Sequence, residues 1–402
     1  MGLAPFTLNI NREYVQNRDI EKKPILKFIF SYLMIGCNLT IITFIIITLI
    51  MHAPNVIKER TEDDSPLSKS IEIHLMCNGN LTIIILLLFY LFRHRSMIHM
   101  ANELIDIDMT VAKLPDDYQL QSGKIPVIIV FILNSFFSFL HIFERLFKTD
   151  DLATLPLFIL PRTLFAYFIL QYTIVLILIE KRYANINNAF IKLSKLTNQI
   201  NYNCDNDFDN KLKVTINRTM VVEIIALKRA HASLGNLRLK IANFYSLGIL
   251  FVTTYSTGSI IYAFYFIIMP FVRPKYYPPS VDNSIKFSFW LMKELFPIFL
   301  LAICANKTIA EMKKTSPIIY NILSQCKSST EIIIEFKHFI FELLHNDCQF
   351  SAYNVFTVDS TIIRSILSSV VSNLIIFIQF QLDGIKMNEQ HENNHANTTQ
   401  FH

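Results

Sequence analysis

Apolar residues along this chain gather into long unbroken runs instead of alternating with polar ones. A helix that crosses a bilayer needs about 20 apolar residues. Seven runs approach or exceed that length: 28–51, 74–92, 125–143, 155–179, 244–269, 287–305 and 362–381. Four of them, 28–51, 74–92, 125–143 and 244–269, contain no Asp, Glu, Lys or Arg. The run 155–179 holds Arg162, 287–305 holds Lys293 and Glu294, and 362–381 holds Arg364. Between the fourth and fifth runs, 181–196 and 212–240 read as helices that continue the spans into water. The Asn- and Asp-rich stretch 198–211 breaks them. In 331–345, Phe336, Phe339, Ile340, Leu343 and Leu344 recur at i, i+3, i+4, i+7 and i+8, the spacing of an amphipathic helix with one apolar stripe. Such a helix either lies on the bilayer surface or packs its stripe against other cytosolic helices, and packing is the expectation.

The distribution of Lys and Arg orients the spans, because positive loops stay in the cytosol. The side that includes residues 1–27 carries 25 Lys and Arg against 9 on the other side. Leaving out the long loop 180–243, the balance is 14 to 9 in the same direction. The expected fold is therefore an all-α membrane protein with seven transmembrane helices, a cytosolic N-terminus and an extracellular C-terminus. Residues 1–27 form a cytosolic segment, 28–305 hold spans one to six, 306–361 are cytosolic helices, 362–382 are span seven, and 383–402 are a polar, solvated extracellular tail.

Composition narrows the function. Hydrophobic residues are 52% of the chain and charged ones 17%, against roughly 25% charged in a soluble domain. A net charge of +5, dispersed along the chain, does not point to nucleic acid. The six cysteines form no CxxC pair, and His391, His395 and His402 read as part of a solvated tail. No metal site or cofactor is expected. No nucleophile elbow, zinc-protease helix or phosphate-binding loop occurs, so nothing points to an enzyme.

Ions within a span are costly unless paired or facing water, which makes Arg162, Lys293 and Glu294 candidate site residues. All three lie in the outer halves of their spans, where snorkelling to the interface is the other reading. Trp290, one turn before Glu294, is either a pocket wall or an interfacial anchor. Tyr262, Tyr265 and His141 in the outer halves of their spans, and Tyr255 near mid-span, add hydrogen-bonding groups. A small polar ligand is bound by such an aromatic pocket with a few directed polar groups.

The last 80 residues carry a family pattern. Ser372-Asn373, five apolar residues and Gln379-Phe380 resemble the signature that closes insect gustatory receptors, with Asn373 standing where the family has Tyr. Cys304, Thr308, Glu311 and Lys314 resemble the family's exit from span six. Phe350-Ser351-Ala352 and Val358-Asp359 resemble its approach to span seven, and His231, Leu234 and Asn243-Phe244 its approach to span five. The resemblance implies a ligand-gated, non-selective cation channel in the plasma membrane of chemosensory neurons. It implies a homo- or hetero-tetramer with span seven lining a central pore, a small extracellular tastant as ligand, and lipid around the spans. The cytosolic extensions then form an anchor below the membrane, and the pocket lies in the outer half. Ile376, Gln379 and Phe380 share one face of span seven. Four copies would ring the conduit with apolar and amide groups, able to close by dewetting and to hydrate a passing cation.

Two rivals follow from the same residues. An insect odorant receptor has the same architecture, whereas a G-protein-coupled receptor has the opposite orientation. The charge count predicts that a tag placed after His402 binds antibody on intact cells. Staining only after permeabilisation would reverse the orientation.

Overall fold

The computed structural model describes residues 6–11, 25–30, 32–59, 66–112, 124–148, 155–203, 210–272, 274, 281–325, 330–345, 349–353 and 355–399. Eight helices account for nearly all of them. They are α1 (Tyr32–Glu59), α2 (Pro66–Ala112), α3 (Lys124–Lys148), α4 (Leu160–Asn203), α5 (Asn210–Val272), α6 (Val281–Gln325), α7 (Thr330–His345) and α8 (Ser360–Thr399). A π-helical turn, Leu155–Ile159, leads into α4.

Helix lengths show which parts leave the bilayer. At 1.5 Å per residue the 63 residues of α5 reach about 95 Å, three times the roughly 30 Å hydrocarbon core. Helices α4 and α6, of 44 and 45 residues, also run well past it. Six helices are long and apolar enough to span a membrane, and Ile125–Leu140 of α3 is a shorter apolar stretch. The seven spans are thus α1 to α6 and α8, while α7 is the amphipathic helix outside. Among the described residues two strand pairs interrupt the helices: β1 (Phe6–Asn11) with β2 (Ile25–Phe30), and β3 (Ser351–Ala352) with β4 (Phe356–Thr357), both antiparallel.

The first span starts later than the apolar run suggested. Residues 28–30 lie in β2, and α1 begins at Tyr32. Aromatic and β-branched residues suit a strand once a partner exists, and Phe6–Asn11 supplies it. The backbone of α8 continues past the seventh span and stays helical to Thr399, with no proline after Ser360 to stop it. His402 lies outside the described residues.

Helix α4 makes its most extensive contact with α6, and the joint is polar as well as apolar. Asn187 of α4 donates to the backbone carbonyl of Glu311 at 2.9 Å and to its carboxylate at 3.1 Å, and accepts from the Thr315 hydroxyl at 2.8 Å. The fully buried Thr308 donates to the carbonyls of Cys304 and, across the seam, Leu176. Lys314 pairs with Glu311 at 2.6 Å. Of the span-six motif residues, Thr308 and Glu311 serve the α4–α6 joint directly, and Lys314 pairs with Glu311 on α6 itself.

The stripe on α7 finds its partner. Phe336 and Phe339 are buried, and the Phe339 ring lies 5.6 Å from Phe190 of α4 and 5.3 Å from His231 of α5. Leu344, expected on that stripe, is exposed, because the seam closes one turn earlier. Beyond α7, Arg238 of α5 donates to the Gln349 carbonyl at 3.0 Å, which ties the β3–β4 turn to α5. Asp359 then caps α8, accepting from the amide and hydroxyl of Thr361 at 2.8 and 2.6 Å. Burial disfavours its charge, but hydrogen bonds from Thr361 and Thr357 outweigh that and hold the carboxyl below its usual range. The Asp359 carboxylate serves the cap, and among the described residues Arg364 has no ion pair and is exposed.

Close approach of α5 to α2 and α4 depends on Gly248. A Cβ there would lie 2.2 Å from Cζ of Phe168 and 3.0 Å from Leu86, both buried. Gly36 has nothing within 4 Å. Gly248→Ala is expected to cost about 1–3 kcal/mol by overpacking and to lower the thermal midpoint of the purified protein, while Gly36→Ala leaves it unchanged. Equal midpoints for the two variants would remove this close contact from the account.

Candidate functional site

Proline and a buried amide shape the wall of the site before any ion enters it. Pro161, in the first turn of α4, has no N–H to give the carbonyl of Leu157 four residues back. The side-chain amide of Asn80, on α2, donates to that carbonyl at 3.0 Å and to the carbonyl of Met76 at 2.8 Å. The π-helical turn is therefore pinned to α2, and Arg162, which follows at once, is aimed into the bundle. On α6, Pro297 likewise leaves the carbonyl of Lys293 without its helical donor.

Arg162 sits at the centre, 4% exposed. Its Nε donates to the Tyr255 hydroxyl at 3.3 Å and lies 4.0 Å from Oε1 of Glu294. The guanidinium carbon is 3.8 Å from the centroid of the Trp290 ring, a cation–π distance. The Trp290 indole N–H donates to the Ser259 hydroxyl at 3.1 Å. Aromatic rings close the rest: Tyr262 meets Trp290 edge-on at 5.3 Å, Phe287 stacks on Trp290 at 5.8 Å and on Phe266 at 4.8 Å, and Phe165 lies 4.6 Å from Tyr255. Gly79 of α2 makes room, since a Cβ there would lie 2.8 Å from the Tyr255 ring.

Of the residues singled out in the sequence, the structure brings together Arg162, Tyr255, Tyr262, Trp290 and Glu294. Lys293 is buried beside Glu294, and Tyr265 is buried on α5. None of the three ions snorkels to the surface: Arg162, Lys293 and Glu294 are all less than one-tenth exposed. The side chain of His141 lies outside the described residues. Ser259, Phe165, Asn80 and Gly79 were not legible as site residues. Only the missing N–H at Pro161 hinted that a polar partner was needed nearby. Nη1 of Arg162 and Oε1 of Glu294 are buried and have no hydrogen-bond partner among the described residues. The site thus presents one donor and one acceptor inside an aromatic box, a combination suited to a small ligand with both apolar and polar parts.

Helix α8 carries a second, different feature. One face is buried through Ile362, Ile366 and Val370 against α5 and α6. The opposite face is exposed along the span at Arg364, Leu367, Val371, Ile375, Ile376, Gln379 and Phe380. An open groove of about 620 Å³ follows that face from Ser360 to Ser372. Ile376, Gln379 and Phe380 share the exposed face, as their spacing predicted. Ser372 is exposed and donates to the Ser368 carbonyl at 3.0 Å, while half-buried Asn373 donates to the Ser369 carbonyl at 2.8 Å. Both signature residues bond within their own helix.

Residues 1–384 match the family described as 7tm Chemosensory receptor. The chain belongs to that family. Over 101 residues, a quarter of this chain, it is 28% identical to putative gustatory receptor 28b and 27% identical to gustatory receptor 68a, both from Drosophila melanogaster. The chain spans only 21% and 25% of the lengths of these two relatives. The fold matches the insect olfactory receptor OR5 from Machilis hrabei with a TM-score of 0.59 at 11% identity, over 92% of this chain and 93% of that one. The structure of the same receptor in complex with eugenol matches with a TM-score of 0.56 at 12% identity, over 91% and 93%. This chemosensory receptor is accordingly a multi-pass membrane protein with the seven-span fold.

The Arg162–Glu294 pair sets a measurable coupling. Removing either partner leaves a buried charge uncompensated, at a cost of about 3–5 kcal/mol. Arg162→Met and Glu294→Gln are each expected to lower the thermal midpoint. The double variant should lose clearly less than the two single losses added together. Strict additivity would show that the two groups do not act on one another.

Proposed function

We propose that this chain is a gustatory receptor that acts as a ligand-gated, non-selective cation channel, opened by a small extracellular tastant. It works in the plasma membrane of chemosensory neuron dendrites as a homo- or hetero-tetramer. The observation that carries the channel reading is the face of α8. A helix with one apolar seam buried and the other face open, with Gln379 between Ile376 and Phe380, fits a position around a shared axis. There the apolar rings close the conduit by dewetting and the amide ring hydrates a cation. Alone in lipid, that amide would have no polar partner across the bilayer.

The aromatic box around Arg162 and Glu294 supports the ligand site. In the orientation given by the charge count it lies in the outer half of the bundle. The structurally similar Machilis receptor was solved in complex with eugenol. Ligand opens the channel only to the extent that the box binds it more tightly in the open state. Odorant-receptor function shares this fold, and the two Drosophila gustatory relatives favour taste. A cytosolic N-terminus is the reverse of a G-protein-coupled receptor.

Whole-cell recording during a tastant panel, with G-protein signalling blocked, is expected to show a fast cation current. Cys substituted for Ile376, Gln379 or Phe380 should react with hydrophilic thiol reagents in an agonist-dependent way and alter the current. A response abolished by the block, or three sites inert to the reagents in every state, would falsify the channel reading.

A further inference from the structure

Far from the aromatic box, the water-exposed parts of α4, α5, α6 and α7 enclose a second cavity of about 330 Å³. We propose that it is a binding site for a cytosolic phosphomonoester bearing an apolar group. Two cations line the cavity, Arg238 of α5 and Lys313 of α6, and no carboxylate among the described residues lines it. Arg238 is 2% exposed and lies 5.6 Å from the Phe350 ring. Lys313 is exposed and has no ion pair among the described residues. The neighbouring carboxylates are matched elsewhere: Glu311 with Lys314 at 2.6 Å, and Glu342 with Lys228 at 2.9 Å. The described lining is therefore net positive.

The remaining polar groups suit the same ligand. His231, 5% exposed, lines the cavity, and its Nε2 has no hydrogen-bond partner among the described residues. Tyr183 and Ser316 also belong to the wall. Cations with hydroxyl and ring donors around one hollow match a phosphate, which accepts several hydrogen bonds at once. The other wall is apolar, formed by Met312, Leu343 and the exposed Leu344, and takes a hydrocarbon or ring substituent. The exposed Leu344 forms one lip of this cavity.

The cavity also touches the connection to α8, because Gln349 belongs to its lining and accepts from Arg238. A ligand held here ties α4, α5, α6 and α7 to the segment that starts the last span.

Thermal unfolding of the full chain in phosphatidylcholine nanodiscs tests the proposal without reference to conduction. Phenyl phosphate should raise the midpoint in proportion to its concentration, inorganic phosphate less, and phenol not at all. Lys313→Gln and Ser316→Ala, both peripheral to the packing, should fold with the wild-type midpoint, and Lys313→Gln should weaken phenyl phosphate by about tenfold or more. Nanodiscs containing phosphatidic acid distinguish the source. A raised midpoint that phenyl phosphate no longer increases assigns the site to a lipid headgroup, and an unchanged response assigns it to a soluble ester. The proposal is overturned if phenol acts like phenyl phosphate, if no phosphorylated probe shifts the midpoint, or if both variants respond as wild type.

Discussion

The α4–α6 pairing is the joint on which the subunit depends. Inside a bilayer there is little hydrophobic force between helices, so register is set by shape and by polar contacts across the seam. This seam has such contacts at both ends. At one end Arg162 of α4 faces Glu294 and Trp290 of α6. At the other, Asn187 grips Glu311 and Thr315, with Thr308 reaching Leu176 between them. One pair of helices therefore carries the candidate ligand box and the cytosolic scaffold on a single rigid body.

The scaffold explains why these helices are so long. A helix cut off at the membrane surface would leave the apolar stripe of α7 with nothing to cover it. By continuing into water, α4 and α5 bring Phe190 and His231 to Phe339, and soluble-type burial of apolar area adds stability that the lipid cannot supply. The motif residues of the C-terminal half serve this arrangement. They are joints and caps, as at Thr308, Glu311 and Asp359, more than ligand contacts.

Much of this was legible in the residues. Uninterrupted apolar runs gave the spans, and the spacing of Phe336 and Phe339 gave α7 and its buried face. The prominence of Arg162, Trp290 and Glu294 came from the cost of ions in lipid. Their mutual contact could not be read, because the partners lie more than a hundred residues apart and periodicity says nothing of which helices touch. Asn80 looked like any polar residue in a span until the turn before Pro161 showed the carbonyl it serves. The late start of α1 was hidden for a related reason: Phe28–Phe30 is as apolar as a span, and its strand pairing depends on a segment some twenty residues away.

The seam of α8 is short. Among the described residues, its last fully buried side chain is Val370, and every one beyond it is at least partly exposed. Mechanically the helix resembles an oar held at the rowlock, clamped at its cytosolic third by the capped turn and held more lightly beyond it, where Phe377 still touches the core. A tilt of a few degrees at the clamp sweeps the distant residues through a much larger arc, so events in the scaffold are magnified where Gln379 and Phe380 sit.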